Sequence, residues 1–198
     1  MSMPYERTGR TRQKVRTRDE LVSAARGLIG RGNSAPTVED AAAAASVSRT
    51  TAYRYFPNQT ALLVAAHPET ELSSLLPPGI GDDPEARLLA AVDAFTRLIL
   101  ETEQQQRTML RLSLEPDAGS RELPLRKGRA IAWFEDALSP LVPRLSETVV
   151  HRLAVAVRST VGIESLVWLT DVACLSREEA AVLMRGSARA LLAQAMAG

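Results

Sequence analysis

The sequence predicts an all-α chain, and three observations carry the prediction. Apolar residues recur at i, i+3, i+4 and i+7 along most of the chain. Ser, Thr, Asp or Asn stands ahead of the periodic runs, where a helix needs acceptors for its first free N–H groups. Period-two alternation of β-branched residues between turns, the mark of strands, is missing. The reading gives about nine helices, in a three-helix unit at the N-terminus followed by a larger helical body. The expected boundaries are 1–16 for a basic arm, 17–60 for the small unit and 61–198 for the body.

Thr8 to Arg18 alternates Arg or Lys with Thr, Gly and Gln and holds almost no apolar residue. Nothing in it can offset the entropy of ordering, so it is expected to be disordered without a partner. Thr17 then caps the first helix, with Glu20 at the capping-box position and Leu21, Ala24, Ala25, Leu28 and Ile29 as its apolar stripe. Gly30, Gly32 and Asn33 stop it. Thr37 caps the second helix, Asp40 points back at the cap, and Pro36 keeps the preceding chain extended. The alanine run from Ala41 to Ala45 has high helix propensity and little bulk, so another helix can cross close against it. Ser46-Val47-Ser48 supplies the turn, with Val47 as apolar plug and Ser48 as the next cap. The helix that follows, Arg49-Thr50-Thr51-Ala52-Tyr53-Arg54-Tyr55, is polar over most of its circumference, while Ala52 and Phe56 face inward. A short helix this polar is not a core element. Pro57-Asn58 ends it, and Asn58 caps a brace beginning Gln59-Thr60-Ala61-Leu62-Leu63.

Thr37, Val38, Asp40, Ala42, Ala45, Val47, Ser48, Thr51, Tyr53, Tyr55, Phe56, Asn58 and Leu62 stand at the spacing of one known pattern. In these residues the chain resembles the helix-turn-helix DNA-binding domain of the TetR (tetracycline-repressor) family of one-component transcriptional regulators. It departs at two places: Ser46 stands where the turn glycine usually lies, and Gln59 where a lysine usually reaches a phosphate. Ser46 must then adopt a conformation that glycine takes more cheaply, and Gln59 can bond a phosphate but brings no charge. The resemblance implies that Thr37, Ser48, Thr51, Tyr53, Tyr55 and Gln59 hold the phosphate backbone. Arg49, Thr50 and Arg54 are the candidates for reading base edges, since arginine can bond guanine bidentately. Lys14, Arg16 and Arg18 would serve the arm, along the backbone or in the minor groove.

Charge distribution agrees. Through Thr60 there are ten Lys/Arg and five Asp/Glu, leaving fourteen and eighteen of the chain's 24 and 23 for the remainder. The overall +1 therefore conceals a basic end and an acidic body, the asymmetry expected when one end meets polyphosphate.

The body reads as helix throughout. Gln59 to His67 continues until Pro68, Glu69 to Leu76 resumes, and Pro77-Pro78-Gly79-Ile80-Gly81-Asp82 is a loop. Asp83-Pro84 opens a long amphipathic helix through Leu88, Leu89, Val92, Phe95, Leu98 and Ile99 to about Thr102. Gln104 to Leu114 forms a further helix or bend, Glu115-Pro116-Asp117-Ala118-Gly119 breaks it, and Arg126 to Leu141 makes the next. Ser146 caps a helix to about Thr170, apolar over more than one face, and Ser176 with Glu179 boxes the last, where Gly186 and Ala190 allow close approach. The resemblance implies that these final two helices pair with their symmetry mates in a homodimer, which would present two recognition helices to a palindromic double-stranded DNA operator.

No enzyme is visible. His67, His151 and Cys174 lie apart without metal-ligand or nucleophile spacing, so no catalytic residue, metal or cofactor is expected. One thiol, and neither a signal nor a transmembrane segment, points to the cytoplasm and away from a membrane. The family likeness implies a cavity for an unidentified small-molecule effector, with Phe95, Met109, Leu112, Trp133, Phe134 and Trp168 as candidate lining and Arg111 or Arg158 as anchor for an acidic group; the same residues also read as core packing. The functional expectation is a DNA-binding repressor released by that effector. The alternative is a ligand-binding or protein-interaction module with a degenerate DNA-reading end.

Overall fold

A computed structural model describes residues 5–33, 35–67, 72–114 and 129–197. Among the described residues all regular structure is helical, as the periodicity predicts. The chain divides into two compact units, Met1–Glu71 with Arg111–Leu123, and Leu72–Leu110 with Pro124–Gly198. The first unit extends past the expected boundary at residue 60 because Leu62 and Ala66 are buried in the same core as Leu21, Ala25 and Phe56.

Four helices make the first unit: α1 (Tyr5–Gly30), α2 (Val38–Ala44), α3 (Arg49–Tyr55) and α4 (Gln59–Ala66). Over 5–16 α1 corrects the expectation of a disordered arm, and with it that of a helix capped at Thr17, since the helix is continuous from Tyr5; residues 1–4 of the expected arm lie outside the described residues. Once Asp19–Gly30 is helical, each further residue adds a hydrogen bond without a new nucleus, and Arg, Lys and Gln are good helix formers. Arg16 Nε donates to Glu20 Oε1 at 2.9 Å, an i,i+4 pair across the expected boundary. The helix stops through a left-handed residue: Gly32 has φ 94°, its N–H reaches Ile29 O at 3.0 Å, and Asn33 N–H reaches Leu28 O at 3.1 Å.

α2 and α3 start where their capping residues predict. Thr37 Oγ1 accepts from Asp40 N–H at 3.1 Å while Asp40 Oδ2 accepts from Thr37 N–H at 2.9 Å, a closed capping box that holds the Asp40 carboxyl below its ordinary range. Ser48 Oγ accepts from Thr51 N–H at 3.2 Å, and Asn58 Oδ1 from Ala61 N–H at 2.8 Å. Between α2 and α3 the same left-handed motif recurs, now with Ser46 at φ 56°; Ser46 N–H reaches Ala43 O at 3.2 Å and Val47 N–H reaches Ala42 O at 2.9 Å. Ala41 and Ala52 are fully buried in one cluster, so the small side chains let α2 and α3 pack closely.

In the second unit α5 (Pro84–Glu101), capped by Asp83, packs with α7 (Arg129–Leu138) and α10 (Arg177–Ala197); α8 (Glu147–Thr160) packs with α7 and α10. α6 (Glu103–Leu114) begins in this unit. The core runs through Leu88, Val92, Phe95, Ile99, Phe134, Leu138, Val157 and Met184. Pro140 ends α7, and Ser139–Leu141 closes as one 3₁₀ turn.

Two segments differ from the helices that periodicity predicts. Leu72 to Leu76 is not helical: Ser74 Oγ accepts from Leu76 N–H at 3.2 Å and donates to Asp136 Oδ2 at 2.7 Å, and Pro77 disfavours helix at the residue before it. The helix expected to run to Thr170 stops at Thr160, where Val161 and Gly162 are extended, and restarts as α9 (Ile163–Val167) running into a π-helical turn, Trp168–Val172. Glu147–Val172 is apolar and long enough to cross a membrane by length and composition. It is broken at Gly162, and Val150, Leu153, Ala154, Val157 and Leu166 pack into the core. Pro68, the break at Glu115 to Gly119 and the expected start at Arg126 lie outside the described residues.

Candidate nucleic-acid interface

α3 carries the interface. Its inward face is Ala52, fully buried, and Phe56 follows at 3 % exposure. The opposite side presents Arg49, Thr50, Tyr53 and Arg54, all exposed, with Thr51 and Tyr55 half-buried beside them. A seven-residue helix cannot hold itself in water, so burial of Ala52, the cap at Ser48 and the left-handed turn at Ser46 must fix its orientation.

The hydrogen bonds distinguish free groups from committed ones. Ser48 Oγ accepts from Thr51 N–H and donates to Thr51 Oγ1 at 2.9 Å, so the Ser48 hydroxyl is used within the cap. Gln59 Nε2 donates to Ala35 O at 2.6 Å and to Pro36 O at 3.4 Å, which ties α4 to the strap ahead of α2. The Arg54 guanidinium lies 5.8 Å from the Tyr55 ring centroid, and that of Arg18 lies 5.4 Å from the Phe56 ring. Lys14, Arg16 and Arg18 are exposed along α1. Tyr53 Oη donates to Glu39 Oε1 at 2.7 Å, linking α3 to the first turn of α2. That hydrogen bond holds the Glu39 carboxyl below its ordinary range and pushes the Tyr53 phenol up. Sequence reading missed Glu39, because the pair spans a turn and no fixed spacing marks it.

The candidate effector residues do not form one set. Phe95, Trp133, Phe134 and Met109 are buried; Phe95 meets Trp133 edge-on at 6.1 Å and Phe134 at 5.8 Å, which is close aromatic packing. Trp168 is 58 % exposed, which removes it from a buried lining. Arg111 is exposed and Leu112 half-buried, and both group with the first unit. Arg158 sits with its guanidinium 5.6 Å from the Phe95 ring centroid, donating to Val161 O at 3.2 Å and to Glu164 Oε2 at 3.1 and 3.2 Å. It is already neutralised by that carboxylate. A second ionic group was also missed: Glu103, with an 8 % exposed side chain, accepts from Arg107 at 2.7 Å and from Arg177 at 2.6 and 3.0 Å, while Arg107 also holds Asp171 at 2.6 Å. Among the described residues no three His, Cys, Asp or Glu cluster as a metal would need.

A polar, exposed helix bearing Arg, Thr and Tyr, fixed through one buried alanine to a small-residue helix, defines a helix-turn-helix DNA-binding domain. Residues 21–66 match the profile of bacterial regulatory proteins of the tetR family, and the N-terminal unit is a domain of that type, as its cap and turn residues predict. Among solved structures, the crystal structure of a TetR transcriptional regulator from Rhodococcus sp. RHA1 is similar over 91% of this chain and 98% of that one, with a TM-score of 0.62 and 20% identity. At that identity the likeness shows the fold. No curated protein matches the chain.

Proposed function

We propose that this protein is a cytoplasmic one-component transcriptional repressor that binds a palindromic operator as a homodimer and leaves it when a small molecule binds the helical body. The observation that carries the reading is the exposed polar face of α3, held on a buried apolar seat. Arg49, Thr50 and Arg54 read base edges in the major groove. The Thr37, Thr51 and Tyr55 hydroxyls set the register on phosphates. Gln59, its amide turned to Ala35 and Pro36, positions the motif rather than contacting DNA.

Dimerisation is supported by an unpartnered apolar face. Val182 (73 %) and Leu183 (48 %) on α10 are exposed, Gly186 has open space at its Cβ position, and Trp168 and Val172 of the π turn project from the same unit. A two-fold interface there would present two copies of α3, to half-sites about 34 Å apart. Effector binding would act as a two-state shift, favouring a dimer whose α3 helices no longer match that spacing.

Selection of bound sequences from a random duplex library at about 150 mM salt tests the reading. An enriched palindrome is the expected result. Recovery without enrichment would instead favour a ligand-binding or interaction module, a reading that the committed Gln59 amide makes concrete. On the selected operator, Arg49→Ala should cost about 1–3 kcal/mol and relax preference at one base pair per half-site. Equal loss on operator and random duplex would remove Arg49 from base reading.

A further inference from the structure

We infer that Glu39 is a phosphate mimic built into the DNA-facing surface: with DNA absent it occupies the Tyr53 hydroxyl, and duplex binding has to displace it. The inference rests on the reading of α3 as the DNA-contacting helix. Its basis is a count of protons. A phenol carries one O–H, and that of Tyr53 is donated to Glu39 Oε1 at 2.7 Å. A phosphate oxygen contacting Tyr53 needs the same proton, so carboxylate and phosphate compete for one donor. Both acceptors are anionic, and neither partner is buried away from solvent; Tyr53 is 41 % exposed. The exchange is therefore accessible without unfolding anything.

Charge adds to the competition. Glu39 stands in the first turn of α2, where the helix N-terminus favours an anion, beside Asp40 of the capping box. Arg49, one of the base-reading candidates, lies near enough for its charge to act on both Glu39 and Tyr53. Glu39 thus offers a carboxylate to the groups that DNA would engage, and it repels the backbone that must approach them. The consequence is a lower affinity for every duplex, with discrimination left to the base-reading side chains. Sequence-independent contacts are the ones weakened.

The test uses a mixed-sequence duplex of about 30 base pairs in low salt, since phosphate contacts carry no sequence information. Glu39→Gln keeps an acceptor in place and removes the charge; it should tighten binding about 2- to 10-fold and steepen the salt dependence. Tyr53→Phe should weaken the Glu39→Gln protein by about 3-fold or more and the wild type by a smaller factor, because in Glu39→Gln phosphate competes for the proton only with a neutral amide. A second measurement needs no DNA: ultraviolet titration of the tyrosines should show one phenol, absent in Tyr53→Phe, that ionises at lower pH in Glu39→Gln than in the wild type. Weaker binding by Glu39→Gln, or an equal Tyr53→Phe effect in both backgrounds, overturns the inference while leaving α3 as the DNA helix. A wild type that binds no duplex overturns both, whatever the titration shows.

Discussion

Ser46 shows most directly how a single residue departs from what its position asks. Its φ of 56° is left-handed, and both hydrogen bonds of the turn depend on that conformation. An L-residue with a Cβ pays roughly 1–2 kcal/mol there and glycine does not, although glycine gives back some of the gain through its freer unfolded chain. Ser46→Gly should therefore raise stability by about 0.5–1 kcal/mol, read from urea melts, without changing contacts elsewhere. A fall in stability would show that the exposed Ser46 side chain does something the turn geometry does not reveal. Residue-level features of this kind were legible beforehand when their cause was local. Thr37, Ser48, Asn58, Asp83 and Ser176 cap the helices that their types and spacings predict, because the partner N–H lies within four residues, whereas Thr17, of the same type and spacing, lies inside α1. Glu39 was not legible, because its partner arrives only when α3 folds back across the turn.

Among the elements, the joint between α6, the π turn and the start of α10 is ionic. Glu103 bridges Arg107 and Arg177, and Arg107 bridges onward to Asp171 and Thr170. The arginines hold the Glu103 carboxyl below its ordinary value of 4.5 and Asp171 at about 2. A depressed carboxyl contributes stability that is complete above its unfolded value and is lost as pH falls through its folded one. The joint should accordingly weaken from about pH 4.5 down to about pH 2. Glu103→Gln should cost about 1–3 kcal/mol at pH 7 and flatten the stability profile over that acid range, both measured by chemical unfolding. An unchanged profile would mean that the network contributes nothing to folding. No sequence pattern announces this joint, since Glu103 and Arg177 lie 74 residues apart. The break at Gly162 escaped because the apolar periodicity continues across it. The helical start of α1 was missed for a different reason: low apolar content argued for disorder, while propagation from an existing helix needs little of it.

For the molecule as a whole, periodicity located the apolar stripes but could not tell a face that meets the protomer's core from one that meets another copy. Trp168 illustrates the gap: its type and spacing suit a cavity lining, and it stands 58 % exposed. If the outer face of α10 is the dimer interface, Leu183→Glu places like charges across a two-fold axis. Sedimentation should then find monomer at micromolar concentration, and operator binding should fall with it. Protomer melting should change little, since Leu183 is 48 % exposed within its own unit. An intact dimer would move the interface elsewhere. The core supplies the complementary expectation: Phe134→Ala, at a fully buried ring packed edge-on against Phe95, should cost about 3–5 kcal/mol in the same melts.

Gly162 and Arg158 bear on how the sequence can drift. Gly162 is extended at φ 170°, a conformation open to any residue, so backbone freedom is not what glycine supplies. Space is: a Cβ there would fall 2.9 Å from Arg158 Cζ and overlap its guanidinium. Arg158 in turn keeps its place over Phe95 only while position 162 stays bare. Mutational order follows from that geometry. A side chain acquired at 162 would swing the Arg158 head off Phe95, so that a later loss of that arginine would cost less than it does in this chain.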